Sequence, residues 1–176
     1  MNIQNMLSEI IVFAGSGIII VTVTYSLIKS DLASYLKRDK PEVCNQMKAD
    51  LMPLRLQAHE RLVLFIERIN PANLFLRLHH SGITLSDLHS AALNEIRSEY
   101  QHNITQQLYI SATTWEVVSK LKEDTIAMVN NAVKSLPADA QGVDLSRKVL
   151  QHMATMEKNP YDLTLSVIKN DIHQLF

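Results

Sequence analysis

Residues 9–30 read EIIVFAGSGIIIVTVTYSLIKS, and between Glu9 and Lys29 no side chain carries a charge. The uncharged stretch Ile10–Ile28 is 19 residues long. At ~1.5 Å rise per residue it makes a rod about as long as the ~30 Å hydrocarbon core of a bilayer. A pair of strands is disfavoured, because Ala14-Gly15-Ser16-Gly17 lies off-centre and leaves only four apolar residues before it. Thr22, Thr24 and Ser26 are tolerable in lipid, since a hydroxyl can bond back to a carbonyl one turn earlier. A cleavable export signal needs a basic start and a shorter apolar core, and the first eight residues hold no Lys or Arg. The preferred reading is an uncleaved membrane-spanning helix, with a buried soluble helix as the alternative. Tyr25 and Lys29 then serve as interface anchors. Ala14, Gly15, Ser16 and Gly17 form a small-residue patch that lets another helix approach closely.

Flanking charge sets the expected topology. No basic residue precedes the span, whereas Lys29, Lys37, Arg38 and Lys40 follow it, against Asp31 and Asp39. Basic residues mark the cytoplasmic side. Residues 1–9 are therefore expected outside, 10–28 in the bilayer, 29–52 as a juxtamembrane helix or linker, and 53–176 as a cytoplasmic helical domain. The chain has one cysteine, Cys44, which excludes an intrachain disulfide and fits a reducing compartment. Asn103-Ile104-Thr105 matches a glycosylation acceptor, which a cytoplasmic domain makes irrelevant.

The 148 residues after Ile28 suffice for one domain. They hold all 17 basic residues and 17 of the 18 acidic ones, with no concentrated basic face, so nucleic acid is an unexpected partner. Only Gly82 and Gly142 lie beyond the span. That scarcity disfavours folds built on glycine turns.

The expected class is all-α: the N-terminal span followed by a multi-helix bundle. Lys29–Lys40 extends the first helix, and Pro41 marks a break or a new first turn. In LMPLRLQAHERLVLFIERIN, residues Leu54, Ala58, Leu62, Phe65 and Ile69 recur at helical spacing. Asn70-Pro71 opens a short helix that Gly82 closes, with His79-His80 at its C-terminal end. Thr84 and Asp87 resemble a capping box. From Leu85 through Leu108 an apolar stripe predicts one helix of about seven turns. Ser111 or Thr113 starts the next, with Trp115, Val118, Leu121, Val129, Ala132 and Leu136 inward and Pro137 as its stop. Further helices begin near Asp144 and at Pro160-Tyr161. Stripes of this kind are buried only by packing on one another.

Several of these segments, LMPLRLQAHERLVLFIERINP, EIRSEYQHNITQQLYIS, the run Trp115-Glu116-Val117-Val118 and the ending IHQLF, resemble a family of small Bacteroidota proteins. The resemblance covers Pro53–Phe176. It implies an N-terminal span, a helical domain and a bacterial inner membrane, and it implies no activity.

Chemistry-bearing patterns are sparse. Glu99 and His102 stand at the E-x-x-H spacing used twice in di-iron bundles, but no other histidine has a Glu three residues before it. Glu60, Glu67 or Glu95 would have to complete the site, so the pair is a weak metal candidate. No phosphate loop or nucleophile elbow occurs, and no catalytic residue, cofactor or small-molecule substrate is expected. The amide-rich segment QHNITQQLY gives a candidate partner surface: Tyr100, Asn103, Gln106, Gln107 and Tyr109. The expected function is a non-catalytic, membrane-anchored interaction protein, an accessory subunit or adaptor whose partners are the bilayer and a membrane protein. The alternatives are a self-associating scaffold and, less favoured, a metal-dependent enzyme.

Overall fold

The computed structural model describes the backbone of residues 3–174 and the side chains of residues 15–29, 46 and 49–174. Among these residues there are six α-helices, one 3-10 helix and no strand. The order is α1 (Ile3–Ile69), α2 (Pro71–Leu78), α3 (Leu85–Asn103), the 3-10 helix Ile104–Leu108, α4 (Ala112–Lys134), α5 (Gly142–Ala154) and α6 (Pro160–His173). The chain divides into two compact units, Met1–Leu51 and Met52–Phe176.

In the first unit, helix α1 passes Pro41 without the expected break. One proline removes a single hydrogen bond, and the neighbouring turns keep theirs. Large apolar side chains stand exposed around the whole helix: Ile18, Ile19, Ile20 and Val21, four consecutive residues, are each 65–68% exposed. Thr22 Oγ1 donates to the Ile18 carbonyl at 2.7 Å, so this hydroxyl is satisfied within the helix. Among the described residues no helix is long and apolar enough to cross a membrane. The uncharged stretch exceeds what is described of it, because Ile10–Ala14 lie outside the described side chains.

The second unit is a bundle in which α3 touches α2, α4 and α5, and α4 touches α3, α5 and α6. Its core takes Leu62, Phe65, Ile66 and Ile69 from α1, Leu88 and Ile96 from α3, Val118 and Val129 from α4, and Leu145 and Ile168 from α5 and α6. Each such burial is worth roughly 1.5–3 kcal/mol before chain entropy is counted. Local chemistry starts most of the helices. Asn70 Oδ1 accepts from Ala72 N at 3.2 Å, with Pro71 at the first helical position. Thr84 Oγ1 accepts from Asp87 N at 3.1 Å, and Ser111 Oγ accepts from Thr114 N at 3.2 Å. Gly82, at φ +80°, turns the chain between α2 and α3.

Two expectations are corrected. Leu54 continues the apolar stripe but is 42% exposed, because cover by the bundle begins at Ala58. The predicted seven-turn helix stops at Asn103. That side chain is buried and its Nδ2 donates to the Glu99 carbonyl at 2.8 Å, while the following N–H, that of Ile104, bonds three residues back to the Gln101 carbonyl. The backbone at Asn103 leaves the α region (φ −104°, ψ 2°), and the chain tightens into the 3-10 helix.

Gly142 N donates to the Ile83 carbonyl at 3.2 Å where α5 begins. A Cβ at this position would lie 2.9 Å from that carbonyl oxygen and 2.8 Å from the Ile83 side chain. Gly142→Ala is expected to destabilise the protein by about 1–3 kcal/mol through overpacking. Urea unfolding of the two forms checks this, and equal midpoints would refute the close approach.

Candidate functional site

Three clusters bring polar side chains together. The first is a groove of about 340 Å³ between α1 and α3, lined in part by Gln57, Glu60, Arg61, Arg68, Glu99 and His102. The candidate metal pair therefore faces a cavity, but its carboxylate is occupied. Arg68 Nε donates to Glu99 Oε1 at 2.9 Å, and Arg77 Nη1 donates to Glu95 Oε1 at 2.9 Å. Arg77 also donates to the Arg68 carbonyl at 2.9 Å. A carboxylate whose lone pairs are held by a guanidinium is a poor metal ligand. Among the described residues no three His, Cys, Asp or Glu side chains gather as a metal site would need.

The second cluster relocates part of the candidate partner surface. The Tyr100 ring stacks on Trp115 with centroids 5.3 Å apart and tilts against Phe65 at 6.1 Å. Its hydroxyl pairs with Ser119 Oγ at 3.0 Å, and Lys122 Nζ sits 4.4 Å above its face. Tyr100 thus joins α3 to α4, and buried Asn103 closes α3; both serve the domain's own packing. Gln107 is exposed and Gln106 half-buried, so the amides on the 3-10 helix remain open to a partner. Half-buried Tyr109 packs against the core, while its carbonyl accepts from Arg55 Nε at 3.2 Å.

The third cluster was not legible in the sequence. His59 is fully buried on α1. Its Nδ1 lies 2.6 Å from the Arg55 carbonyl and its Nε2 lies 3.0 Å from Asp171 Oδ2 on α6. The Ser111 N–H, at the start of α4, donates to the same carboxylate oxygen at 3.2 Å. Burial alone would raise the Asp171 pKa. Bonds from the Ser111 N–H and side chain, and from the His59 ring, outweigh burial and hold it below the ordinary carboxylate value. A carbonyl can only accept, so the contact with Arg55 makes Nδ1 a donor, and Nε2 faces the carboxylate oxygen. The available signal was spacing: His59 precedes Leu62 by three residues and Ile66 by seven, on the inward face.

Elsewhere, Tyr161 is buried and its hydroxyl pairs with Thr125 Oγ1 at 2.7 Å. Burial pushes this phenol well above its ordinary value, against the opposing Thr125 hydrogen bond. His89 Nε2 meets Asn130 Oδ1 at 2.8 Å, a further tie between α3 and α4. Near the N-terminus, Lys29 Nζ lies 6.0 Å from the centroid of the Tyr25 ring. No atom stands within 4 Å of a Cβ built at Gly15 or Gly17. Ser16 has a partner within the chain, and Ala14 lies outside the described side chains.

The class defined by these features is an all-α protein with a bundle domain, whose polar clusters tie helices together. Within that class, residues 5–175 match the model of a family of unknown function, DUF7935, and the chain belongs to that family. No curated protein and no solved structure matches it.

Removing Asp171 leaves the fully buried His59 ring without its hydrogen-bond partner, so Asp171→Ala is expected to cost about 1–3 kcal/mol. Asp171→Asn keeps an acceptor and should lose less. Because the folded pKa of Asp171 is depressed, its contribution is complete above the unfolded carboxylate value, about 3.9, and disappears as pH falls through the folded value. Urea midpoints measured from neutral pH into that acid range should fall less steeply for Asp171→Asn than for wild type. Parallel curves would remove the pair from the account.

Proposed function

We propose that the protein is a single-span membrane protein whose helical domain works by binding, as an accessory subunit or adaptor of a membrane complex. The observation that carries this reading is the exposure, on every side of α1, of Ile18, Ile19, Ile20 and Val21, each at least 65% exposed. Four consecutive residues cover most of a helix circumference. A helix that is apolar all round needs lipid or a protein core around it. The charge-free run Ile10–Ile28 has the length for lipid, and Tyr25 with Lys29 gives it an interfacial end.

In the proposed topology residues 1–9 lie outside a bacterial inner membrane, and the domain from Pro53 lies in the cytoplasm. The mechanism is localisation. A tether raises the domain's concentration beside its partner, so modest affinity suffices. The half-buried amide Gln106 and the exposed amide Gln107 are the proposed contact, together with Leu108, which is 77% exposed. Arg68, which would have to release Glu99 before a metal could bind, weighs against an enzyme.

Two tests follow the reading. The tagged protein is expected to resist carbonate extraction and to bring down a stoichiometric membrane partner in mild detergent. Ile19→Arg with Ile20→Arg, at roughly 2.5–3.5 kcal/mol each near mid-bilayer, should release it and lose the partner. A wild-type chain found in the carbonate supernatant defeats the anchor; a retained chain that purifies alone defeats the adaptor. In cells with a permeabilised outer membrane, Cys44 should resist an impermeant maleimide until lysis. Labelling before lysis reverses the topology.

A further inference from the structure

The groove between α1 and α3 holds hydrogen-bonding groups that the domain's own packing leaves unused. It lies within the second unit, on the turns of α1 from Gln57 to Arg68 and on the last turn of α3. Asn103 is 5% exposed and lines the groove. Its Nδ2 donates to the Glu99 carbonyl, which can only accept, so the amide has one orientation and Oδ1 points away from that bond. Oδ1 receives no hydrogen bond from the described residues, and no side-chain oxygen or nitrogen among them is buried without a partner. Oδ1 therefore opens onto the groove as a bare acceptor. On the facing helix, Arg61 is half-buried and meets no acceptor among the described residues. Arg55, Arg68, Arg77 and Arg147 each reach a carbonyl or a carboxylate, and Arg97, unpaired among the same residues, is exposed. Glu60, next to Arg61, is exposed and likewise unpaired among them. Arg68 and Glu99 neutralise one another, so Arg61 and Glu60 are the full charges left for a ligand.

We propose that this groove binds a free α-amino acid with an apolar side chain. The carboxylate meets the half-buried guanidinium of Arg61, whose planar fork presents paired donors to it. The ammonium on the adjacent carbon meets Asn103 Oδ1 and the Glu60 carboxylate. It also sits at the C-terminal end of α3, where the helix carbonyls favour positive charge. Leu64, 56% exposed, and Phe65 beneath it give the side chain an apolar wall. A purely anionic ligand such as phosphate would leave Asn103 Oδ1 bare and crowd Glu60, and a simple amine would leave Arg61 unmet. The space, about 340 Å³, stands at the small end of the ~300–1,000 Å³ range of small-molecule sites. A peptide C-terminus shares the carboxylate and the neighbouring N–H, but it brings no positive charge to Glu60, which selects the free amino acid.

The test uses the full-length chain purified in mild detergent, titrated calorimetrically with L-leucine, L-methionine and L-phenylalanine. At least one is expected to bind with one-to-one stoichiometry. The carboxamide and the N-acetyl derivative of the best of them should each bind roughly 10–100-fold more weakly, because each loses a charge-assisted hydrogen bond. Arg61→Gln and Glu60→Gln should each weaken binding to a similar degree at an unchanged melting temperature, since neither side chain has a partner in the described structure. Arg97→Gln, outside the groove, should leave the affinity as it is. The derivatives interrogate the same contacts on the unmodified chain, so the result stands whether or not a variant folds. No binding by any of the three, or binding indifferent to both the carboxamide and Arg61→Gln, overturns the site. An N-acetyl derivative that binds as tightly as its parent overturns the free amino acid in favour of a peptide C-terminus.

Discussion

A polar group enclosed in an apolar core must keep its hydrogen-bond partners or destabilise the core by about 1–3 kcal/mol, and that constraint organises this bundle. His59 stands on α1 with no exposure to solvent. Its partner Asp171 lies 112 residues further along the chain, in α6, and the N–H that steadies this carboxylate belongs to Ser111, where α4 begins. With His59 in the core, α6 has to bring a carboxylate to 3.0 Å and α4 has to start beside it. Apolar contacts among Leu62, Phe65, Val118 and Ile168 supply most of the driving force but tolerate sliding. The directional His59–Asp171 hydrogen bond does not tolerate it. It fixes which turn of α1 faces which turn of α6, and Arg55, bonded to the Tyr109 carbonyl, holds the 3-10 helix to the same part of α1.

What could be read from the sequence was local. Asn70, Thr84 and Ser111 announce helix starts because a short polar side chain satisfies an N–H two or three residues ahead, and all three do so here. The termination at Asn103 uses equally short-range chemistry, yet an apolar stripe running on to Leu108 hid it. Periodicity reports which face is apolar and says nothing of a side chain that competes for the helix's own carbonyl. Tyr100 was misplaced for a different reason. A tyrosine at the edge of a stripe suits a partner surface and an internal joint equally well, and only tertiary packing against Trp115 and Phe65 decides between them. His59 needed both kinds of information: its spacing marked it inward, but its partner lies at the far end of the chain.

The Glu99–His102 groove shows why residue type and spacing do not make a site. A metal or a general base needs a carboxylate with free lone pairs in a setting that shifts its protonation. Along this side of the domain Arg68 and Arg77 instead interleave with Glu95 and Glu99, and each carboxylate meets a guanidinium. Arg68 is itself half exposed, so these bonds contribute little to stability. Their effect in the groove is to occupy the Glu99 carboxylate that a metal or a base mechanism would need free.

Helix α1 carries two apolar patterns that answer to two different surroundings. From Ile10 to Ile28 the side chains are apolar in every direction, which water tolerates poorly and lipid favours. From Leu32 to Ile69 the apolar residues keep to one face at an eleven-residue interval, with charged residues between them, as a helix in water packed on one side requires. The change of pattern falls at Lys29, the first basic residue of the chain and the neighbour of the Tyr25 ring. A helix buried within one large soluble core has no reason to change period at its first cation. The proposed anchor would account for the change, because beyond a bilayer the charged side chains meet water and only one face needs a neighbour. In the last two turns before Asn70 that neighbour is the chain's own bundle, through Leu62, Phe65 and Ile69. Leu51 and Leu54, 46% and 42% exposed, continue the apolar face beyond that cover.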